Sequence, residues 1–403
     1  MKPSQRPHNL LDITASPAGI MAGKRSCNIN IPLDLMVEIL KKLPAKSLAR
    51  FQCVSKQWTS IIVINSIVTR SLTQPPSCDP HFIFSHSNSQ FSFVFSHVHE
   101  PHQITNQEQQ LYHEEICGKG YGIETRFQYL RGLVGFWRSS YCYCQFTFTI
   151  YNPTTKQTVS LPYLPSTSRW IYYFFGYDPL KNQYKVVCLA IQIDPSKNLS
   201  CRVFTLGDPK KKWMRIQCGI GSHFPLDNAV CINGAIYYKA TKMKPNESSV
   251  LVSFDVRSEK FNHVRTPNDM AIYRRDSTLI NYQGKLAFIC RNNMINEDAD
   301  MWVMEDAEKQ EWSKITFFGM LQGITSGIRI GDVTHPSGEF VILHQNYLSR
   351  YASNVYYYDP KRNSRRSVEI QTTTSSERIT PSDYFTMWPV TDHVENIMCL
   401  SLH

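Results

Sequence analysis

Between Ile29 and Ile64 the chain reads INIPLDLMVEILKKLPAKSLARFQCVSKQWTSIIVI, and its apolar residues return at helical spacing. Pro32 with Asp34 predicts a helix start, and Pro44 predicts its stop after Leu43. With Leu35 at zero and about 100° per residue, Ile39 falls near ~40°, Leu43 near ~80°, Met36 near ~100°, Leu40 near ~140° and Val37 near ~200°. Asp34, Glu38, Lys41 and Lys42 fill the remaining arc. The apolar arc is then about 200° wide, against the ~100° of a helix that covers a single core. A second helix is predicted with Ser47 as its cap and Leu48, Phe51 and Val54 turned inward. A third starts near Ser55 and carries Trp58, Ile61, Ile62, Val63 and Ile64. About forty residues seldom bury enough surface to stand alone. The surplus is covered either by the following domain or by another protein, and periodicity leaves both readings open.

From His81 onward the pattern changes to short strands separated by turn signals. One unit recurs: an aromatic-rich strand, an acidic or Asp/Asn-Pro turn, then a polar strand. It appears as FTIYNPTTKQTVSLP, CRVFTLGDPKKKWMRIQ, VLVSFDVRSEKFNHVRTP, DMWVMEDAEKQEWSKITF and NVYYYDPKRNSRRSVEI. Taking Tyr151, Phe204, Phe254, Trp302 and Tyr357 as equivalent, the spacings are 53, 50, 48 and 55 residues. Hairpins such as CINGAIYYKA and INYQGKLAFICR lie between the copies, with Asn-Gly or Gly at the turn. A four-stranded unit with a period of ~50 predicts a kelch-like β-propeller, and residues 81–400 at that period predict about six blades. Two stacked β-sandwiches would not show so regular a period. The opening HFIFSHSNSQFSFVFS and the closing DYFTMWPV and NIMCLSL look incomplete alone; together they predict one shared blade that closes the ring. The fold class is thus mainly β with a small α module.

Charge sharpens the division. The first 70 residues hold ten basic side chains against three acidic ones, so +7 of the net +10 belongs to this end. An acidic partner for the helical module fits that balance better than a nucleic-acid groove along the whole chain. No apolar run is long enough to span a bilayer, and the opening MKPSQRPHNLLDITASPAGIMAGKRS lacks the apolar core of a secretory signal. Cytoplasm, nucleus or both is the expected location, with no membrane and no nucleic acid among the partners. The twelve cysteines are scattered, and Cys142 and Cys144 are the one close pair. Without paired CxxC motifs they read as reduced, packed cysteines rather than a zinc site. The sequons at Asn198 and Asn246 carry no weight without export.

Nothing in the chain reads as catalytic. There is no nucleophile elbow, P-loop or HExxH. GKGYG at Gly118 lacks the spacing of a dinucleotide loop and reads as a plain loop. His97 and His99 form a tight pair, but read as strand and loop histidines rather than metal ligands. No cofactor and no metal are expected. Lys210 to Lys212 and Lys361 to Arg366 sit in basic turns, read as solvated hairpin tips.

The segment IPLDLMVEILKKLPAKSLARFQCVSKQWTSII resembles the F-box. The family pattern appears here as Pro32 and Leu33, Ile39 and Leu40, Leu43 and Pro44, Leu48, Val54, Lys56 and Trp58. Ile31 stands where Leu is common and Ser55 where Cys is frequent. The β region resembles the plant F-box-associated domain through GLVGFW, IYNPTTKQ, FGYDPLKNQYKVV and SFDVRSEKF. The resemblance implies a three-helix module that binds a Skp-type adaptor, and through it a cullin and a RING subunit. It also implies a propeller that holds an unknown protein substrate for ubiquitination, with no chemistry of its own. The alternative is a propeller that reads a glycan or small ligand without a degradation role. By the same resemblance Pro32, Leu33, Met36, Ile39, Leu40, Leu43 and Pro44 face the adaptor. Leu35, Leu48, Phe51, Val54 and Trp58 then hold the module together. The implied organisation is a disordered tail over 1–28, an F-box over 29–72, a linker over 73–80 and the propeller over 81–400.

Overall fold

In a computed structural model of the chain, the described residues are 32–54, 56–64, 81–86, 91–92 and most of 124–400. Within the last span 140–146, 165–169, 192–198, 227–228, 243–248, 275–276, 293–296, 325–327, 334–336, 345–351, 372–384, 392–393 and 399 fall outside the description. So do the tail, the linker, His97, His99, Gly118, Cys142 and Cys144.

Three helices come first: α1 (Leu33–Lys41), α2 (Ala45–Val54) and α3 (Lys56–Ile64). Pro32 precedes α1 with an extended ψ of 143°, and its carbonyl accepts from Met36 N at 3.0 Å. Asp34 lies in the first turn and Lys41 in the last, each matched to the helix dipole. Ser47 does not cap α2. The helix starts two residues earlier, and the Pro44 carbonyl accepts from both Ser47 N and Leu48 N. Proline suits that position because its ring fixes a helical φ where no N–H is needed. No helix among the described residues is long and apolar enough to cross a membrane.

The β region opens with β1 (His81–His86) and β2 (Phe91–Ser92). Four consecutive strands then form one antiparallel sheet: β3 (Glu124–Leu130), β4 (Leu133–Ser139), β5 (Thr149–Asn152) and β6 (Gln157–Ser160). The second sheet holds β7 (Trp170–Asp178), β8 (Gln183–Ile191), β9 (Ser200–Thr205) and β10 (Met214–Ile216). The third holds β11 (His223–Pro225), β12 (Val230–Ile232), β13 (Ala235–Lys242), β14 (Ser249–Asp255) and β15 (Lys260–Val264). Its inner edge is split: β11 and β12 pair with opposite ends of β13, and Pro225 ends the first piece by removing a donor. The fourth holds β16 (Thr278–Tyr282), β17 (Lys285–Arg291), β18 (Ala299–Asp306) and β19 (Glu311–Phe317). The fifth holds β20 (Ile328–Val333), β21 (Phe340–His344), β22 (Ala352–Asp359) and β23 (Ser364–Gln371). Finally β24 (Phe385–Val390) returns to pair antiparallel with β1, from His81 opposite Val390 to His86 opposite Phe385.

The result is a β-propeller with five complete blades rather than about six. The closing sheet has three strands among the described residues, in the order β2-β1-β24. Dividing the length by the repeat overcounted because the span also includes the segments at its two ends that form this closing sheet, which is not a complete four-stranded blade among the described residues. NIMCLSL was expected as a strand of the closing sheet. Its described residues, 396–398 and 400, run instead across the turns of the first blade, where the side-chain amides of Asn152 and Gln157 bond backbone groups of Asn396, Met398 and Leu400.

The five aromatic markers all fall on the third strand of a blade, and all five are buried. Four of those strands end on Asn or Asp, whose side chains close the turn; β9 ends on Thr205 instead. Asn152 Oδ1 accepts from Thr154 N and Thr155 N, Asp306 Oδ1 from Glu308 N and Lys309 N, and Asp359 Oδ1 from Lys361 N and Arg362 N. These turns, and the tight turns joining first to second strands, lie at one end of the propeller. The connections from second to third strands and from blade to blade leave from the other end, as alternation in an antiparallel sheet requires.

The apolar core lies between blades. One cluster joins Phe148 and Ile150 to Phe175 and Val186; the next joins Phe174 and Val187 to Ile236 and Phe254. Polar ties repeat the pattern: Gln128 bonds both N and O of Phe175 at 2.7 Å, and buried Lys239 donates to Ser277 O at 2.8 Å. Asp178 sits in the turn of the second blade and accepts from Arg257 in the turn of the third at 3.0 Å. The guanidinium holds the Asp178 carboxyl below its ordinary value, with the N–H groups of Leu180 and Lys181 adding to the effect.

Candidate docking surface of the helical module

Leu40, Leu48, Ile61 and Ile62 form the centre of the three-helix module, with Met36, Val37, Leu43, Ala49, Phe51 and Trp58 packed around them. Phe51 and Trp58 stack obliquely at 5.1 Å between ring centroids, and Thr59 Oγ1 donates to Gln52 O at 2.7 Å. One further residue completes the cluster: Ile397, from the far end of the chain, fully buried against the helices.

Among the described residues of the module four large apolar side chains stay in water: Leu33 is 55% exposed, Leu35 54%, Ile39 44% and Val54 67%. Pro32 and Pro44 are exposed beside them. Of the residues expected to face a partner, Pro32, Leu33, Ile39 and Pro44 are therefore open, while Met36 and Leu43 are half-buried. Leu40 is not available: it is fully buried at the centre of the module. Of those expected inside, Leu48 is buried, and Phe51 and Trp58 are packed around it. Leu35 and Val54 lie outside.

Helical geometry accounts for both exchanges. Leu35 sits about 140° from Leu40 round α1 and only ~40° from Ile39, so it shares the open stripe with Ile39. Steps of three from Leu48 through Phe51 drift by about 60° each, which leaves Val54 ~120° away from the buried face. The arc of α1 is wide because two separate surfaces need it. One is the stripe around Leu40, already closed. The other, with Leu35 and Ile39, is open.

The propeller offers a different surface. At the end opposite the third-to-fourth-strand turns, Tyr273 and Phe318 are exposed in the connections between blades. At the turn-bearing end the basic residues have local partners. Arg366 meets Glu339 at 3.3 Å and covers the Tyr357 ring at 3.7 Å, and Arg365 covers Tyr356 at 4.7 Å. Arg362 Nε lies 3.8 Å from Asp359 Oδ2, and the backbone N–H of Lys210 donates to Asp208 Oδ1 at 2.8 Å. Among the described residues no group of three His, Cys, Asp or Glu side chains is arranged to hold a metal.

Comparison with known proteins follows the same division. Residues 29–69 match the F-box domain family, and residues 79–394 match the F-box associated beta propeller domain family. The putative F-box protein At5g50220 of Arabidopsis thaliana is 44% identical over 387 residues, covering 93% of this chain and 92% of that protein. The putative F-box protein At1g32420 of the same plant is 49% identical over 309 residues, covering 72% and 91%. Among solved structures, TolB from Acinetobacter baumannii aligns over 78% of this chain and 70% of that one, with a TM-score of 0.44 and 10% identity.

Proposed function

The chain belongs to the F-box proteins that carry an F-box associated β-propeller, and from that premise we propose that it is the substrate-recognition subunit of a Skp–cullin–F-box ubiquitin ligase. The F-box binds a Skp-type adaptor, which joins it to a cullin and a RING subunit. The propeller holds a target protein, and the reaction gains from proximity alone: a tethered target meets activated ubiquitin at high effective concentration. No catalytic group is required of this chain. Cytoplasm, nucleus or both is the proposed location.

The observation that carries this reading is the exposed apolar surface of a module matched to the F-box: Leu35 and Ile39 share one open stripe of α1, and Leu33 and Val54 are exposed elsewhere on the same module. Four large apolar side chains crowded onto so small a module are what a partner would bury. Its basic surroundings suit an acidic adaptor. For the target, the end of the propeller bearing Tyr273 and Phe318 is the favoured surface, since it lies opposite the end that Ile397 ties to the helices.

A pull-down with purified Skp-type adaptor tests the reading. Leu35→Asp with Ile39→Asp changes only exposed positions, whereas Leu40→Asp would unfold the module before it reported on binding. Capture by the wild type that falls at least ~30-fold in the double variant supports the role. Equal capture by both excludes this stripe as the docking surface, and no capture by the wild type excludes the ligase role.

A further inference from the structure

Residues 394–398 and 400 lie against the third-to-fourth-strand turn of the first blade, and Ile397 packs on the opposite side from Asn396 and Met398. Asn396, Met398 and Leu400 face the propeller; Ile397 faces the helices. Asn152, fully buried, donates both amide hydrogens to the carbonyls of Asn396 and Met398 at 2.9 Å. Thr154 Oγ1 accepts from Asn396 N at 3.0 Å, Gln157 Oε1 from Leu400 N at 2.9 Å, and Tyr129 Oη from Val394 N at 2.9 Å. The Asn396 amide in turn donates to Arg131 O at 2.7 Å and Tyr184 Oη at 2.9 Å, so it reaches the second blade as well. Met398 and Leu400 enter the apolar cluster between those blades. Gly132, with φ of +82°, lets the run come this close: a Cβ there would stand 2.4 Å from Val394 O and 2.6 Å from Asn396 Cβ.

Val394, Asn396, Met398 and Leu400 thus each have a backbone group bonded to a propeller side chain, while the apolar side chain of Ile397 joins the core of the helical module.

We propose that residues 394–400 are a strap that fixes the F-box module to the turn-bearing end of the propeller, with Ile397 as its positioning residue. The strap sets the separation and orientation of adaptor and target, which makes the chain a rigid spacer. Were the covalent connection over 65–80 alone to join the two units, a flexible chain of that length would let them spread by about 20 Å. The consequence for ubiquitin transfer rests on the ligase reading above; the coupling itself does not.

The test uses the full chain with donor and acceptor dyes on keto amino acids introduced at the exposed positions Lys42 and Lys361. Single-molecule energy transfer on the wild type and on Ile397→Val is expected to give one narrow distribution. Ile397→Ser cuts the strap from the module. Asn152→Ala cuts it from the propeller and leaves the module's own core whole. Both are expected to broaden the distribution at least twofold, with near-ultraviolet circular dichroism of the propeller aromatics unchanged. A distribution that stays as narrow as the wild type's in both variants overturns the strap. Adaptor capture is measured in parallel: failure of the wild type to bind adaptor sinks the ligase reading and leaves the distance result standing.

Discussion

The helical module and the propeller treat their apolar residues in opposite ways. Each blade shares its core with the next, so Phe148, Phe254, Phe288 and Phe340 are all sealed between sheets. Among its described residues the module seals Leu40, Leu48, Ile61 and Ile62, borrows Ile397 to finish the job, and leaves Leu33, Leu35, Ile39 and Val54 in water. A repeat architecture can bury everything because each unit has an identical neighbour to lean on. Three short helices have no such neighbour. Their unburied remainder is therefore concentrated on a few helical turns, whereas the exposed Tyr273 and Phe318 of the propeller stand singly in connections between blades.

If that contrast is right, substitutions in the two regions should separate stability from binding. The largest effect is expected from Phe254→Ala, which opens a cavity between the second and third blades: about 3–5 kcal/mol lost in chemical denaturation of the full chain. Adaptor capture should persist as long as the protein is folded. Gly132→Ala comes next, at about 2–4 kcal/mol, because it demands a left-handed backbone and drives a methyl into the strap. Unlike Phe254→Ala, it should also disturb the placement of the module.

A smaller, pH-dependent effect belongs to Asp178. Its folded carboxyl titrates below the ordinary ~3.9, so its contribution is full above about pH 4 and is lost as pH falls through the lower folded value. Asp178→Asn should therefore flatten the acid limb of the stability curve below about pH 4, measured by denaturant titration at successive pH values. The loss at neutral pH should be less than in either packing variant, because solvent screens the half-exposed Arg257. Smallest of all is Leu35→Ser: within about 0.5 kcal/mol in stability, yet clearly weaker in adaptor capture. A Leu35→Ser variant that unfolds the module while binding normally would reverse the contrast.

Much of this was legible in the chain. The ~50-residue period placed Tyr151, Phe204, Phe254, Trp302 and Tyr357 on equivalent strands because a blade is a local meander whose turns declare themselves through Asn and Asp. The helices were equally plain from Pro32, Pro44 and the apolar spacing. Which stripe of α1 is spoken for was not legible. The width of the apolar arc signalled two surfaces, but the identity of the closed one depends on Ile397, which lies far away in sequence. Nothing local in NIMCLSL distinguishes a strap from a closing strand. That distinction arises only when Asn152 and Gln157 take its backbone groups and Gly132 makes room. Blade number failed for a related reason: a length divided by a period cannot tell a complete blade from a closing sheet assembled from the two ends of the domain.

The central claim is that the module has one apolar face closed by its own chain and another kept for a partner. Carbene footprinting of the full chain, with and without purified Skp-type adaptor, tests it at single residues. The account expects Leu33, Leu35, Ile39 and Val54 to be labelled in the free protein and protected in the complex, while Leu40 and Ile397 are unlabelled in both. Labelling of the four that is unchanged by adaptor, or adaptor-induced exposure of Ile397, would contradict it.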